Sequence, residues 1–258
     1  MVTLTPLELG LLVLTALAAG TIDAIAGGGG LLTLPALLAV GLPPHLALGT
    51  NKGQSVFGSL SALLSFARAG KLDRARARLT FPAGLVGAFG GAALVLLVDP
   101  KTLKPLVLVL LMLAAVVVVF RRAPKAGAVD ARPPVPIERA RRLAIGIALC
   151  VGAYDGFFGP GTGTFLILAF VLLLREPMTN ATANAKVVNF ASNLASVTLF
   201  GLKGTVLWRI ALPMAAGQLV GGFVGAHLAV KGGERTIRLG VLVVVIALSC
   251  KVALDVFR

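Results

Sequence analysis

Four ionisable residues lie inside long apolar segments of this 258-residue chain, namely Asp23, Lys52, Asp155 and Lys186. If those segments cross a membrane, the charges are costly there, and such residues usually mark a substrate or ion pathway. They form two equivalent sets, because Asp155 follows Asp23 by 132 positions and Lys186 follows Lys52 by 134. The lysines could attract an anion. The aspartates could carry a coupling proton, form ion pairs with the lysines, or cap helix ends.

Each lysine belongs to a row of polar residues on a predicted helix. Thr182, Lys186, Asn189, Asn193 and Ser196 are spaced by 4, 3, 4 and 3 residues, which places them on one helical face. The first half has a lysine and two serines at matching positions. We therefore expect seven side chains to contact an anionic substrate: Lys52, Lys186, Asn51, Ser55, Ser59, Asn189 and Asn193. The alternative is that the polar rows join helices while the lysines snorkel to an interface.

Two glycine-rich breaks interrupt the apolar sequence. The pattern Gly20, Asp23, Gly27 recurs 132 residues later, and further glycines follow both copies. A helix that begins after such a break presents unbonded N–H groups and the positive end of its dipole, which suits an anion. The predicted site therefore also includes Gly28, Gly29, Gly30, Gly161, Thr162 and Gly163. The alternative is that the glycines only allow helices to cross closely.

The composition indicates a membrane protein. The chain is 57% hydrophobic and 13% charged with a mean hydropathy of +0.96, whereas soluble domains carry about 25% charged residues. The net charge of +14 does not indicate nucleic-acid binding, because 12 of the 24 Lys and Arg residues lie in two stretches between apolar segments, 68–78 and 121–142. Basic loops between spans are typical of the cytoplasmic side of a membrane protein.

We predict an all-α polytopic membrane protein built from two repeats of about five segments. The predicted parts are an N-terminal transmembrane repeat (1–120), a basic, proline-rich cytoplasmic linker (121–142) and a C-terminal transmembrane repeat (143–258). The predicted segments are 7–26, 31–40, 47–66, 81–98 and 103–120, then 143–158, 165–174, 182–200, 212–230 and 237–257. The second segment of each repeat is too short to cross a bilayer and is expected to be a half-helix or a re-entrant segment.

The loop charges favour repeats of opposite orientation. The loop 68–78 carries five basic residues, whereas its counterpart in the second half has only Lys203 and Arg209. Two loops on the cytoplasmic side would be expected to carry similar charge. We therefore expect inverted repeats, with both basic stretches in the cytoplasm and both termini outside. Paired, glycine-interrupted short segments are also a sign of a secondary transporter's binding site.

The motifs together resemble those of the TauE/SafE family of membrane transporters, outside the 121–142 linker. The matching stretches are AIAGGGGLLTLP (24–35), ALGTNK (47–52), FGSL (57–60), GPGTG (159–163), ATANAKVVNFASN (181–193) and GQLVG (217–221). Asn51 stands where a serine or threonine is common before the lysine. The resemblance implies a transporter of anions, in a family associated with sulfite and sulfur-containing organic anions.

The leading hypothesis is a secondary active transporter of a small organic or sulfur-containing anion in the bacterial cytoplasmic membrane. Asp23 or Asp155 would carry a coupling proton. The alternatives are a passive anion channel and a cation or metal transporter that uses the aspartates and unwound carbonyl groups.

Protease and hydrolase motifs are missing, and no cofactor or metal is expected. The expected partners are the substrate and the lipid bilayer, and a homodimer is compatible with the sequence. The sequence leaves open whether Gln54 and Gln218 join the polar path.

Overall fold

The computed structural model describes residues 4–120 and 135–232. Within these two ranges the chain is all α-helical. The helices are α1 (Pro6–Ala26), α2 (Gly30–Ala39), α3 (Pro44–Arg68), α4 (Arg74–Leu96), α5 (Pro100–Phe120), α6 (Ile137–Phe157), α7 (Thr162–Leu173), α8 (Met178–Leu202) and α9 (Trp208–Lys231). The predicted all-α fold is therefore confirmed. The predicted last segment, 237–257, lies outside the described residues.

Four of the described helices are long and apolar enough to span a bilayer, namely α1, α4, α9 and the part of α5 from Pro100 to Val117. The helices α3 and α8 have 25 residues each and carry the buried polar rows. The helices α2 and α7 have 10 and 12 residues, so each rises only about 15–18 Å. They are the two predicted half-helices.

Side-chain capping explains where α1 and α4 begin. The side chain of Thr5 accepts a hydrogen bond from the Glu8 N–H, and Glu8 bonds back to Thr5. This reciprocal capping box satisfies the free N–H groups at the start of α1. Asp73 does the same for α4, because its carboxylate accepts the Arg76 N–H at 3.0 Å. The loop was predicted to run from 68 to 78, and this end of the prediction is wrong. The loop ends at Asp73, because the arginines that follow lie in the first turns of α4.

The predicted linker also ends earlier than expected. Helix α6 begins at Ile137, after Pro136, whereas the linker was predicted to run to 142. The first turns of α6 carry Arg139 and Arg141 on exposed faces, and Arg141 pairs with Glu138 at 3.1 Å. Exposed basic residues at a helix start resemble loop residues in composition, which is why the sequence did not separate them from the linker.

The first helix of the chain packs against the last described one. A Cβ atom built on Gly217 would lie 2.5 Å from the carbonyl oxygen of Val13, and one on Gly221 would lie 2.2 Å from that of Leu17. Only glycine allows the two backbones to come so close. The residue numbers rise together along the contact, so α1 and α9 run parallel.

An equivalent contact joins α4 and α6. A Cβ atom on Gly87 would lie 2.1 Å from the carbonyl oxygen of Leu149, and one on Gly91 would lie 1.9 Å from that of Ala153. These two helices also run parallel. Since Leu149 follows Leu17 by 132 positions and Gly87 precedes Gly221 by 134, the two glycine-packed contacts correspond. In each, the first helix of one half packs against the fourth helix of the other half.

The two long polar helices run antiparallel. The start of α3 lies at the end of α8, where the Leu207 N–H donates to the Thr50 hydroxyl at 3.1 Å. The chain just after α3 reaches the start of α8, where the Asp73 N–H donates to the Asn184 side chain, also at 3.1 Å. The two bonds are equivalent at an offset of 134 residues.

The two ends of the molecule differ in polarity. At the α8 start, Asn184 also donates to the buried carboxylate of Glu176 at 2.9 Å, and Glu176 pairs with Arg76. The equivalent positions at the other end are Leu42 and Ile210, which are buried in the largest hydrophobic cluster. One end is therefore closed by a charge pair and the other by apolar packing.

Candidate functional site

The two glycine-rich breaks lie against each other. A Cβ atom on Gly27 would be 2.1 Å from the backbone nitrogen of Thr164, and Gly27 has φ +72°. Both the close approach and the positive φ require glycine. The Thr164 hydroxyl donates to the carbonyl oxygen of Ala26 at 3.0 Å. The starts of α2 and α7 thus meet in the centre of the molecule, although the breaks are 132 residues apart in sequence.

Lys52 and Asp155 form a buried ion pair beside this junction. The Lys52 Nζ lies 2.7 Å from Asp155 Oδ1 and 3.1 Å from Asn193 Oδ1, and both charged side chains are 2% exposed. Asp155 also accepts hydrogen bonds from the hydroxyls of Thr162, at 2.9 Å, and Ser192. Asn189 donates to its other oxygen at 3.5 Å. The Asp155 carboxylate therefore collects donors from α3, α7 and α8.

Lys186 and Asp23 form the equivalent pair. The Lys186 Nζ lies 2.7 Å from Asp23 Oδ2, and it also donates to the Asp23 carbonyl oxygen. The other carboxylate oxygen accepts the N–H groups of Gly28 and Gly29 at 3.2 and 3.3 Å. Asp23 therefore both pairs with a lysine and caps the start of α2. Two of the N–H groups predicted to bind an anion at this break, those of Gly28 and Gly29, therefore donate to the protein's own carboxylate.

A small cavity lies at the junction, with a volume of about 30 Å³, which is room for roughly two water molecules. It is bounded by α1, α3, α6, α8, α9 and the two breaks. The lining residues are Asp23, Gly28, Gly29, Gly30, Asn51, Lys52, Ser55, Asp155, Gly159, Gly161, Gly163, Asn189, Asn193 and Gln218. Most of the predicted site residues therefore gather around one space.

Three of the predicted site residues do not line the cavity. Lys186 is fully buried behind Asp23. The Ser59 hydroxyl donates to the Val56 carbonyl oxygen and accepts from Asn193 at 3.3 Å. The Thr162 hydroxyl is held against Asp155. These side chains support the groups that line the cavity rather than facing it themselves.

Ser192 and Thr33 were not among the predicted site residues, and Gln218, whose role the sequence left open, lines the cavity. Ser192 donates to Asp155, and the Thr33 hydroxyl donates to Asn51 Oδ1 at 2.5 Å. Ser192 lies six residues beyond Lys186 on α8 and falls off the predicted stripe. Thr33 carries the one hydroxyl in the otherwise apolar half-helix α2. A single polar residue in an apolar helix beside the predicted site could have identified it from the sequence.

The site is electrically neutral when all four ionisable groups are charged. Each lysine faces one carboxylate, and each pair joins the first half of the chain to the second. A negative ligand that enters beside Asp23 and Asp155 gains net attraction only if one of the carboxylates is neutralised or moves away.

Broken helices that meet at a polar cavity, within a polytopic helical bundle, place this chain in the class of membrane transporters. The family model described as "Sulfite exporter TauE/SafE" matches residues 12–252. The chain belongs to this family, which confirms the resemblance found in the motifs. The family and the relatives below are described as transporters and not as enzymes.

Several curated relatives cover nearly the whole chain. The probable membrane transporter protein YfcA of Escherichia coli (strain K12) is 39% identical over 255 residues, covering 97% of this chain and 91% of that protein. The probable membrane transporter protein ORF9 of a Sinorhizobium species is 39% identical over 251 residues, covering 96% and 93%. The probable membrane transporter protein YunE of Bacillus subtilis (strain 168) is 27% identical over 262 residues. No solved structure matches the chain.

Proposed function

We propose that the protein is a secondary active transporter that moves a small organic or sulfur-containing anion together with a proton. The observation that carries the proposal is the buried Lys52–Asp155 pair at the wall of the central cavity. Lys52 is the cavity's cationic side chain, and its charge is fully balanced by Asp155. A substrate anion must compete with that carboxylate for the ammonium group.

Protonation of Asp155 resolves this competition. A neutral Asp155 no longer balances Lys52, so the ammonium group becomes available to an anion. The proton and the anion then enter as a neutral pair. Binding either one alone leaves an uncompensated charge in a buried site, which is strongly unfavourable. This mutual dependence would couple the two fluxes.

Neutral donors complete the proposed anion site. Asn51 Oδ1 accepts hydrogen bonds from Thr33 at 2.5 Å and from Gln54 at 3.0 Å. The NH₂ group of Asn51 is therefore available to donate to a ligand in the cavity that Asn51 lines. Ser55 lines the same wall. Such donors suit a ligand with several acceptor oxygens. The sulfite exporter name of the family supports a sulfonate- or sulfite-like substrate.

Alternating access would follow from the helix arrangement. Helices α1, α3 and α9 pack together, as do α4, α6 and α8, and α3 crosses α8 between the two groups. The parallel contacts of α1 with α9 and the antiparallel course of α3 and α8 support inverted repeats. Rocking of one group against the other would open the cavity to each side in turn.

The relatives named above come from bacteria, and we therefore propose that the protein resides in the bacterial cytoplasmic membrane. A homodimer is also part of the proposal.

Transport by the purified protein in liposomes tests the function. A thermal-stability screen with sulfite, thiosulfate, sulfoacetate, taurine and simple carboxylates first selects the best-binding anion. Uptake of that anion should saturate, and an inward proton gradient should drive it above equilibrium. The variant Lys52→Met should lose uptake, while Ser61→Ala, which lies on the same helix outside the cavity, should retain it. Uptake that only follows the anion's own gradient and does not saturate would instead indicate a channel.

A further inference from the structure

Gln218 is a buried residue at the cavity wall, and its amide has no hydrogen-bond partner among the described residues. It lies on α9, is 4% exposed and lines the cavity wall. Within residues 4–120 and 135–232, no hydrogen bond joins its side chain to another group. The polar atoms of a side chain without a protein partner are available to a ligand or water that reaches them. The cavity is the space that its polar group can reach.

The side chain occupies a slot that two glycines create. A Cβ atom on Gly58 would lie 2.3 Å from Gln218 Oε1, and one on Gly20 would lie 2.8 Å from the same atom. Any larger residue at either position would displace the amide. Because Oε1 lies against these two glycines, the NH₂ group of Gln218 is directed away from them. Helices α1, α3 and α9 together thus fix the amide in place.

The first half of the chain has no counterpart to this amide. Gly152 packs against Gly84 on α4 in the same way that Gly20 packs against Gln218 on α9. Gly84 therefore occupies the equivalent position, and its offset of 134 residues agrees with the other pairs. A cavity between two similar halves thus receives one extra donor from one side only. That asymmetry gives a bound anion a preferred orientation.

We propose that Gln218 contacts the substrate and sets the selectivity for the shape of its anionic group. This inference rests on the proposed function. The donors of Lys52 and Asn51 come from α3, whereas the Gln218 amide comes from α9. Donors from separate helices fit the oxygens of a tetrahedral sulfonate, which point in three directions, better than the two coplanar oxygens of a carboxylate. Gln218 therefore favours sulfonates over carboxylates.

Methanesulfonate and acetate test this selectivity, because they differ only in the anionic group. The affinity of each for the purified full-length protein is measured by titration of its thermal stability. Gln218→Ala should weaken methanesulfonate binding by about tenfold, as expected for one lost donor to a charged group. It should change acetate binding much less. Gly58→Ala, which pushes the intact amide out of its slot, should reduce the same ratio. Ser61→Ala, whose hydroxyl bonds to Leu219 across the same helix interface, should leave it unchanged.

Three outcomes separate this inference from the proposed function. A reduced sulfonate-to-acetate ratio in Gln218→Ala and Gly58→Ala, with all binding lost in Lys52→Met, supports the assignment. A wild-type ratio in Gln218→Ala, again with binding lost in Lys52→Met, overturns the role of Gln218 and leaves the anion site intact. If wild-type protein binds neither anion, or binds both unchanged after Lys52→Met, the anion site itself is overturned and the selectivity role with it.

Discussion

Lys52 and Asp155 belong to opposite halves of the chain, and their side chains meet at 2.7 Å inside the central cavity wall. The equivalent residues, Lys186 and Asp23, also meet at 2.7 Å, but Lys186 is held by a backbone carbonyl as well and does not face the cavity. The two halves thus use the same pair of residues for different purposes. The Lys52–Asp155 pair lines the cavity, where we propose that it binds the anion, and the Lys186–Asp23 pair secures the break before α2.

The pH dependence of anion binding tests the role of Asp155. If a proton must enter with the anion, affinity should rise as the pH falls, by up to about tenfold per pH unit for one linked proton. Asp155→Asn removes the carboxylate that is proposed to take up the proton and leaves Lys52 available. This variant should bind the anion with an affinity that hardly changes with pH. Titrations of thermal stability at several pH values measure both slopes. An equally steep slope in Asp155→Asn would assign the proton to another group.

The stability of charge variants tests the buried pair. Lys52→Met leaves Asp155 without its cation, and loss of one partner of a buried pair costs about 3–5 kcal/mol. The double variant Lys52→Met with Asp155→Leu removes both charges and should regain most of that stability. Thermal unfolding in detergent of the four proteins in the cycle measures the coupling. Additive effects would mean that the pair contributes nothing as a unit.

The contact between the two breaks makes Gly27 irreplaceable. Gly27→Ala would place a Cβ atom 2.1 Å from the Thr164 nitrogen at φ +72°, so we expect protein that folds poorly or loses transport. Gly70 is a matched control, because it has φ +68° and nothing within 4 Å of its missing Cβ. Gly70→Ala should cost only the backbone strain, about 1–2 kcal/mol. Equal yield and melting temperature for the two variants would contradict the close contact.

The charge pair at one end of the molecule should tolerate replacement by the residues of the other end. Glu176→Leu alone leaves Arg76 partly buried without its main partner, and we expect a clear fall in melting temperature. Adding Arg76→Ile reproduces the Leu42 and Ile210 arrangement and should restore stability, since apolar replacement of a buried pair is often neutral. A double variant no more stable than Glu176→Leu would show that the pair does more than close this end.

Sequence patterns were sufficient to predict the helices and their breaks, but not which aspartate each lysine contacts. The glycine breaks and the row through Lys186 and Asn193 correctly predicted half-helices and a polar helix face, because chain breaks and helical periodicity are local properties. The partner of each lysine was not predictable. Spacing defines a helix face but not the helix that faces it, and either aspartate could have met either lysine. Lys186 was predicted to contact substrate and is instead enclosed by Asp23.

The packing of α1 against α9 has a consequence for biosynthesis. The contacting residues Val13 and Gly217 lie about 200 positions apart in the chain. At a synthesis rate of about 5–20 residues per second, α1 is therefore made at least ten seconds before α9. During that time Asp23 is in the membrane without Lys186, which is made later. The first half therefore cannot complete its packing until α9 has been made, and truncated chains that end before α9 should be substrates for membrane quality-control proteases.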